Sequence, residues 1–269
     1  MARLSTHHEG AIKWLEVHRE VAEALASSSS LREAAEPILR ALGTTLGFQT
    51  GAIYRVEPDQ LLRCLSTWVA PDCELDEFEH QTRAVSFHRG VALAGRVWES
   101  GAPEWWSDLL EEDLARDGLP VGWALRSALA FPMLSARGVL GVIELLSIRS
   151  RGADEDLATL TVPLGWQLGE RMERDLAEER ARIREARLAH SEALLSEAER
   201  GAATGSFDRD LRSGQTEFSV GMHDLLRAPP GVGLTLERLL ARVHSDDREL
   251  IGRVFSTAEH DHQPFVFEL

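Results

Sequence analysis

The stretch SALAFPMLSARGVLGVIELLSI, residues 127–148, contains two apolar runs that a short polar segment separates. The runs Ser127–Leu134 and Gly138–Ile148 are long enough for β-strands, and Ser135-Ala136-Arg137 has the length of a hairpin connection. Strands joined by so short a connection run antiparallel. The stretch therefore predicts an antiparallel sheet in this part of the chain.

A second hairpin is predicted earlier in the chain. Gly51–Val56 and Leu61–Val69 read as paired strands around Glu57-Pro58-Asp59, a tripeptide whose proline has the fixed φ that a turn requires. Irregular polar segments and a short helix around Leu93–Ser100 are expected between the two hairpins.

Two helices are predicted before the first strand. Between His8 and Ala26, apolar residues recur at steps of three or four with charged residues among them, as in an amphipathic helix. The serine run Ser27–Ser30 interrupts this helix and provides an N-cap for a second one from Leu31. Together with the hairpins, this order predicts an α+β domain in which helices cover one face of an antiparallel sheet.

A long helix is predicted from Ala153 to about Arg200, with Pro163 inside it. Proline lacks an N–H group and clashes with the preceding turn, so we expect a kink or a break there. Apolar residues are dense up to Leu176 and sparse afterwards, which predicts a docked helix that continues as a coiled coil. The alternative for the second half is a solvated single helix that Glu–Arg pairs stabilise.

The pattern changes again after Gly201. Strands are predicted at Gly205–Leu211, Gln215–Ser219 and Phe265–Leu269, and helices at Met222–Leu226 and Leu234–Glu259.

Composition excludes several classes of protein. The formal net charge is −15, and nucleic-acid affinity depends on Lys and Arg that neutralise phosphates, so DNA or RNA binding is not expected. Uninterrupted apolar stretches are far shorter than the roughly 20 residues that span a bilayer, and residues 1–10 have no signal-peptide pattern. We therefore expect a cytoplasmic protein without membrane insertion.

Three segments together resemble the GAF domain. They are GAIYRV at Gly51–Val56, GVALAGRVWESGAPEWWSDL at Gly90–Leu109 and GVLGVIELLS at Gly138–Ser147, in the order of the family. GAF domains are small-molecule sensors and dimerisation modules of bacterial signalling proteins, so the resemblance implies such a role for residues 31–150. Residues 1–30 then form an N-terminal helix, and residues 151–200 form a signalling helix.

Residues 201–269 resemble the first part of a PAS domain. GSFDRDLRSGQTEFS at Gly205–Ser219 is similar to the opening strand pair of that family, and ARVHSDDREL at Ala241–Leu250 is similar to its ARVHPDDRE motif. A PAS fold needs further strands, so we expect an incomplete domain that is mobile or completed by another chain. The order GAF, helix, PAS implies the sensory region of a two-component signalling protein, a histidine kinase whose output domain would lie beyond residue 269.

The GAF resemblance places a candidate small-molecule pocket in the irregular middle of the domain. Aromatic rings with a polar nitrogen can close such a pocket, although core packing is the alternative role for most of them. Some GAF domains bind haem through a histidine, so a haem or other cofactor sensor that uses His88 is an alternative function. The sequence does not specify which cofactor this would be. The candidate pocket residues are Phe87, His88, Trp98, Trp106 and Trp123.

The sequence shows no catalytic motif and no metal-spaced cluster, so the chain is not expected to be an enzyme. GAF-fold methionine sulfoxide reductases provide an enzymatic alternative that would depend on Cys64 or Cys73. These two cysteines lie too early in the domain for the cysteine set of that family.

A parallel homodimer is predicted through the N-terminal helix and the helix from Ala153. Each carries an apolar stripe, and we expect that a single sheet cannot bury both of them.

Overall fold

The computed structural model has two units, Met1–Arg180 and Ala181–Leu269. It describes residues 2–73, 75, 78–107, 125–202, 204–210, 212–213, 215–227 and 235–261. Within these residues, no helix combines the length and the apolar composition that a bilayer crossing requires.

The first unit contains a six-stranded antiparallel sheet in the order β3-β2-β1-β6-β5-β4. Both predicted hairpins are confirmed, and they meet at the centre of the sheet, where β1 pairs with β6. The strands are β1 Thr50–Val56, β2 Leu62–Val69, β3 Ser86–Phe87, β4 Glu104–Trp106, β5 Ser127–Ser135 and β6 Gly138–Ser147.

The helices of the first unit are α1 Ala2–Ser27, α2 Leu31–Leu46, α3 Phe78–Ala84, α4 Ala92–Ser100 and α5 Glu155–Ala202, the last of which continues past Arg180. The predicted N-cap of α2 is confirmed, because the Ser30 side chain accepts a hydrogen bond from the backbone N–H of Glu33. Gly47 ends α2 with φ +77°, and its N–H donates to the carbonyl of Gly43. This left-handed cap is the reason a glycine follows the helix.

One face of the sheet is covered by α2, which packs on β1 and β2, and α1 packs on α2. The apolar stripes of α1 and α5 are both buried in this layer, in one contiguous cluster. Both stripes are nevertheless buried within this unit, because α2 provides a second surface against which α1 packs, so their burial does not require a second copy of the chain. This first-face cluster includes Trp14, Val17, Val21, Leu157, Leu164, Leu168 and Met172.

The other face carries a separate apolar cluster under α3 and α4. Alternate residues of β5 divide between the faces: Leu129 and Phe131 join the first-face cluster, and Ala128 and Ala130 join the second. The expectation that helices cover only one face is therefore wrong. The sheet is buried on both faces, which accounts for its nearly continuous apolar strands.

Of the kink or break predicted at Pro163, the break is absent, because α5 is one helix from Glu155 to Ala202. Side chains on both sides of the proline are fully buried against the sheet, including Thr161 before it and Leu164 after it. A proline inside a helix costs about 3 kcal/mol, and burial of this face offsets that cost.

Two glycines allow α5 to lie directly on the backbone of β5. A Cβ atom at Gly165 would lie 2.2 Å from the carbonyl oxygen of Pro132, and one at Gly169 would lie 1.9 Å from that of Leu134. A side chain at either position would therefore force α5 to shift away from β5. The four-residue spacing puts both glycines on one side of the helix.

The second unit pairs β7 Phe207–Arg209 with β8 Thr216–Phe218 and contains α6 Val220–Leu225, α7 Leu236–Arg242 and α8 Arg248–Asp261. The predicted single helix Leu234–Glu259 is wrong, since Val243 is extended and ends α7. The Arg248 guanidinium donates to the carbonyls of Val243 and Ala241, both at 2.8 Å, and so stabilises the break. The predicted strand Phe265–Leu269 lies outside the described residues.

Substitution of Gly169 by alanine tests the contact between α5 and β5. We expect Gly169→Ala to destabilise the first unit by about 1–3 kcal/mol, because the rigid backbone of Leu134 cannot move away from the new methyl group. The control is Gly152→Ala, where a Cβ meets nothing within 4 Å, and we expect a change within about 0.5 kcal/mol.

Urea unfolding followed by tryptophan fluorescence makes this measurement specific to the first unit. All seven tryptophans lie in that unit, at Trp14, Trp68, Trp98, Trp105, Trp106, Trp123 and Trp166. Equal unfolding free energies for the two variants would show that α5 does not depend on the close approach.

Candidate functional site

The second-face cluster is the candidate site. Helix α4 packs on β5 and β6 above it, and α3 packs on β2 beside it. The sheet contributes three small, fully buried residues to it, Ala52, Ala128 and Ala130, and the larger buried residues Leu62, Val142 and Leu146. The larger members of the cluster are aliphatic and aromatic side chains, and the four buried aromatic ones are Tyr54, Phe78, Phe87 and Trp98.

The structure brings three of the predicted pocket residues together. Phe87 and Trp98 are buried in the second-face cluster, and Trp106 is half-buried against it. His88 does not join them, because its side chain is exposed. Strand alternation explains the difference, since Phe87 ends β3 facing inward and the next residue faces the opposite way. Trp123 lies outside the described residues.

Alternation also separates the two adjacent tryptophans of β4. The Trp106 indole Nε1 donates to Glu104 at 2.9 Å on the second face. The Trp105 indole packs on the first face, where its Nε1 donates to the carbonyl of Arg151 at 3.1 Å. Trp106 is therefore available to the candidate site, and Trp105 is not.

Sequence reasoning missed the polar centre of the cluster, which is the pair Tyr54 and Glu144. The Tyr54 hydroxyl donates a hydrogen bond to the Glu144 carboxyl at 3.1 Å, and both side chains are buried. Glu144 lies on the central strand β6, directly between Ala52 of β1 and Ala130 of β5. A signal was present, since Glu144 is a charged residue inside an apolar strand and Tyr54 is the single tyrosine of the chain.

Burial controls the protonation of this pair. Desolvation raises the pKa of Glu144 from 4.5 to about 7, against the hydrogen bond from Tyr54, which lowers it. Desolvation and the neighbouring carboxyl both raise the pKa of Tyr54, so its hydroxyl keeps its proton. The site therefore contains a carboxyl group that changes charge near neutral pH.

The two cysteines are not activated nucleophiles. Burial raises the pKa of Cys64 to about 11, and its Sγ contacts the carbonyl of Ser66 at 3.5 Å. Burial and the neighbouring Asp72 raise the pKa of Cys73 as well. Since the thiolate is the reactive form of cysteine, both thiols are poorly suited to attack a sulfoxide. No group of three or more metal-ligating side chains occurs in the part of the chain that the structure describes.

Comparisons with known proteins bear on the first unit. A family model described as a GAF domain matches residues 28–170. A search of the curated proteins found no match.

Among solved structures, the GAF domain of a phosphoenolpyruvate-protein phosphotransferase from Coxiella burnetii is 16% identical with a TM-score of 0.52; the match covers 63% of this chain and 98% of that chain. The corresponding domain from Acinetobacter is 17% identical with a TM-score of 0.49, over 62% and 97% of the two chains. Free methionine-R-sulfoxide reductase from Neisseria meningitidis, solved with its substrate, is 18% identical with a TM-score of 0.48, over 60% and 88%. At such identities, the likeness concerns the fold alone.

The raised pKa of Glu144 predicts a distinctive dependence of stability on pH. The folded protein binds the Glu144 proton more tightly than the unfolded chain does. The contribution of this proton to the free energy of unfolding is therefore complete below about pH 4.5 and is lost as the pH rises to about 7. The loss is on the order of 3 kcal/mol. Glu144→Gln has no such proton, so we expect it to become the more stable form above neutral pH.

Urea unfolding of the wild type and of Glu144→Gln, followed by tryptophan fluorescence between about pH 5 and about pH 8, measures this difference. The other titrating groups are common to both proteins and cancel. Parallel pH profiles would contradict the buried titration.

Proposed function

Since the chain belongs to the GAF domain family, we propose that its first unit is the small-molecule sensor of a cytoplasmic bacterial signalling protein, such as a histidine kinase. The observation that carries this proposal is the buried pair of Tyr54 and Glu144 in the apolar second-face cluster. Ligand sites combine an apolar lining with a few polar groups that fix orientation. A core that served only for packing would not need a buried carboxyl, because its burial is unfavourable.

A contact between α5 and the start of the chain supports a role in signal transfer. The Arg171 guanidinium donates to the carbonyls of Leu25 and Ser28, both at 3.0 Å, and its Nε pairs with Asp175 at 2.8 Å. The Asp175 carboxylate in turn accepts a hydrogen bond from the backbone N–H of Leu31. A cation at the end of α1 and an anion at the start of α2 suit the dipoles of both helices. A movement of α5 would therefore act on this junction.

The same helix is linked to the candidate site through the sheet. Glu144 of β6 pairs with Ala130 of β5, and α5 lies against the β5 backbone two residues later, at Pro132. In the proposed mechanism, a ligand that shifts β6 and β5 shifts α5, and α5 transmits the change towards the PAS-like residues 201–269.

A homodimer through the N-terminal and linker helices is part of the proposal. Although the main stripes are buried, other apolar side chains of these helices remain exposed, including Ile12 and Leu15 on α1 and Trp166 on α5. Leu188 and Leu195 of α5 are both 65% exposed and lie seven residues apart, which is the spacing of a coiled-coil seam. A second copy of the chain would bury them.

We propose that the chain itself is not catalytic, because the raised pKa values of both thiols disfavour the reductase alternative. The haem alternative loses support, since His88 is exposed and lies outside the apolar cluster that would surround a haem.

Hydrogen exchange of the full chain tests the sensor and its signal path. We expect a ligand found by thermal-shift screening to protect amides in β1 and β6 and to change exchange at residues 25–31. Arg171→Ala should preserve ligand binding and protection in the sheet but abolish the change at residues 25–31. Arg174→Ala, an exposed neighbour on α5, is the control and should behave as the wild type.

If no small molecule raises the melting temperature, the sensor role is wrong. If Arg171→Ala retains the change at residues 25–31, the proposed path through the junction is wrong.

Sedimentation equilibrium tests the dimer. We expect a dimer for the wild type at micromolar concentrations. For Leu188→Gln with Leu195→Gln, we expect a dissociation constant larger by about 100-fold or more, because two apolar layers are lost. Glu185→Gln with Glu192→Gln changes exposed residues at the same spacing and should leave the dimer intact. A monomeric wild type would disprove the dimer.

A further inference from the structure

We propose that the ligand of the second-face cluster is an organic cation with a protonated amine, which the Glu144 carboxylate binds while Tyr54 and the aromatic rings of the cluster surround it. This inference rests on the proposed function and specifies its ligand class. It is based on the position of Glu144 in the sheet, on the charges around it and on the aromatic composition of the cluster.

The two residues directly opposite Glu144 in the sheet are small. Residues directly opposite on neighbouring strands have Cβ atoms about 5 Å apart, so their side chains normally pack against each other. Here the two opposite residues are Ala52 and Ala130, whose side chains end at Cβ. The two directly opposite side chains thus end short of the Glu144 carboxyl, and the sheet residue that reaches it is Tyr54.

The described part of the chain provides no cation for this carboxyl. Its hydrogen-bond partner there is Tyr54 of β1, and the nearby Cys64 of β2 is neutral because burial raises the pKa of its thiol. The charged side chains of the two covering helices are all exposed, and Arg83 and Arg96 pair with Glu79 and Glu104. Those charged side chains are Glu79, His80 and Arg83 on α3 and Arg96 and Glu99 on α4.

A buried carboxyl with one neutral partner has two low-energy states. It is either protonated, or it is ionised with a cation from outside the chain. The raised pKa of Glu144 means that both states are accessible near neutral pH. Binding of a cation would then release the proton, so affinity should increase with pH through the pKa and level off above it.

The surrounding rings favour an ammonium group over a metal ion. The Tyr54 and Phe87 rings meet edge to face, with centroids 5.4 Å apart, and Phe78 and Trp98 belong to the same cluster. Aromatic faces attract organic cations and bury their carbon atoms. One carboxylate is too small an oxygen set for a hard divalent cation, which takes six or more oxygen ligands.

Matched sets of ligands test the charge preference directly. Each set shares one carbon skeleton and differs in the polar group: butylamine, butanol and butyrate; 2-phenylethylamine, 2-phenylethanol and phenylacetate; tryptamine, tryptophol and indole-3-acetate. We expect the amine of at least one set to raise the melting temperature of the full chain most. Titration calorimetry of that amine should give about tenfold tighter binding at pH 8 than at pH 6, with release of a proton.

Glu144→Gln keeps the shape of the side chain and removes its charge, so we expect it to lose both the amine preference and the pH dependence. Glu79→Gln, an exposed carboxyl on α3, is the matched control and should retain both. If Glu144→Gln does not fold, the pH dependence and proton release of the wild type still decide the question.

The outcomes separate this inference from the proposed function. Binding of alcohols or carboxylates in preference to every amine would overturn the amine class and leave the sensor role intact. An amine preference that persists in Glu144→Gln, or that does not change with pH, would show that Glu144 is not the recognition group. If no compound of any set binds, the amine inference is wrong. If a wider screen of small molecules also finds no ligand, the proposed sensor role is wrong as well.

Discussion

The first unit depends on one constraint: its sheet is buried on both faces, and the pairing of β1 with β6 at its centre fixes which side chains enter each cluster. In β1, Ile53 faces the helices α1, α2 and α5, while Ala52 and Tyr54 face α3 and α4. A slip of one residue would exchange the two sets. The same register places Glu144 beside two alanines, so the strand pairing that determines the fold also determines the neighbours of Glu144 in the candidate site.

The two faces differ in how they are packed. On the first face, large apolar side chains interlock, and α5 approaches the backbone of β5 through Gly165 and Gly169. On the second face, the apolar cluster contains a buried tyrosine and a buried glutamate, and the residues directly opposite that glutamate are Ala52 and Ala130. A close-packed interface transmits the displacement of one element to the next. A buried polar pair in an apolar cluster lowers the stability of the folded protein, and a ligand that binds the pair can restore it. This division agrees with a sensor in which one face binds and the other transmits.

The family assignment and the chemistry of the site rest on different observations. The fold is similar to that of the GAF domain of a phosphoenolpyruvate-protein phosphotransferase, at 16% identity. A shared fold does not carry a shared activity, because function depends on the side chains of the site. In the candidate site of this chain the polar side chains that meet are Tyr54 and Glu144, and burial raises the pKa of the Cys64 thiol.

The sequence alone determined what is local: the cap of α2 at Ser30, the two hairpins, the extent of α5 and the resemblance to the GAF family. The cap, the hairpins and the helix depend on periodicity and turn chemistry along the chain, whereas the resemblance depends on the three quoted segments. Tertiary structure decided that Phe87 is buried and His88 exposed, that α5 continues through Pro163, and that α2 lets one layer bury both stripes. It also brought Tyr54 and Glu144 together across 90 residues. Such outcomes depend on which distant segment covers each face, and periodicity within one segment contains no information about its partner.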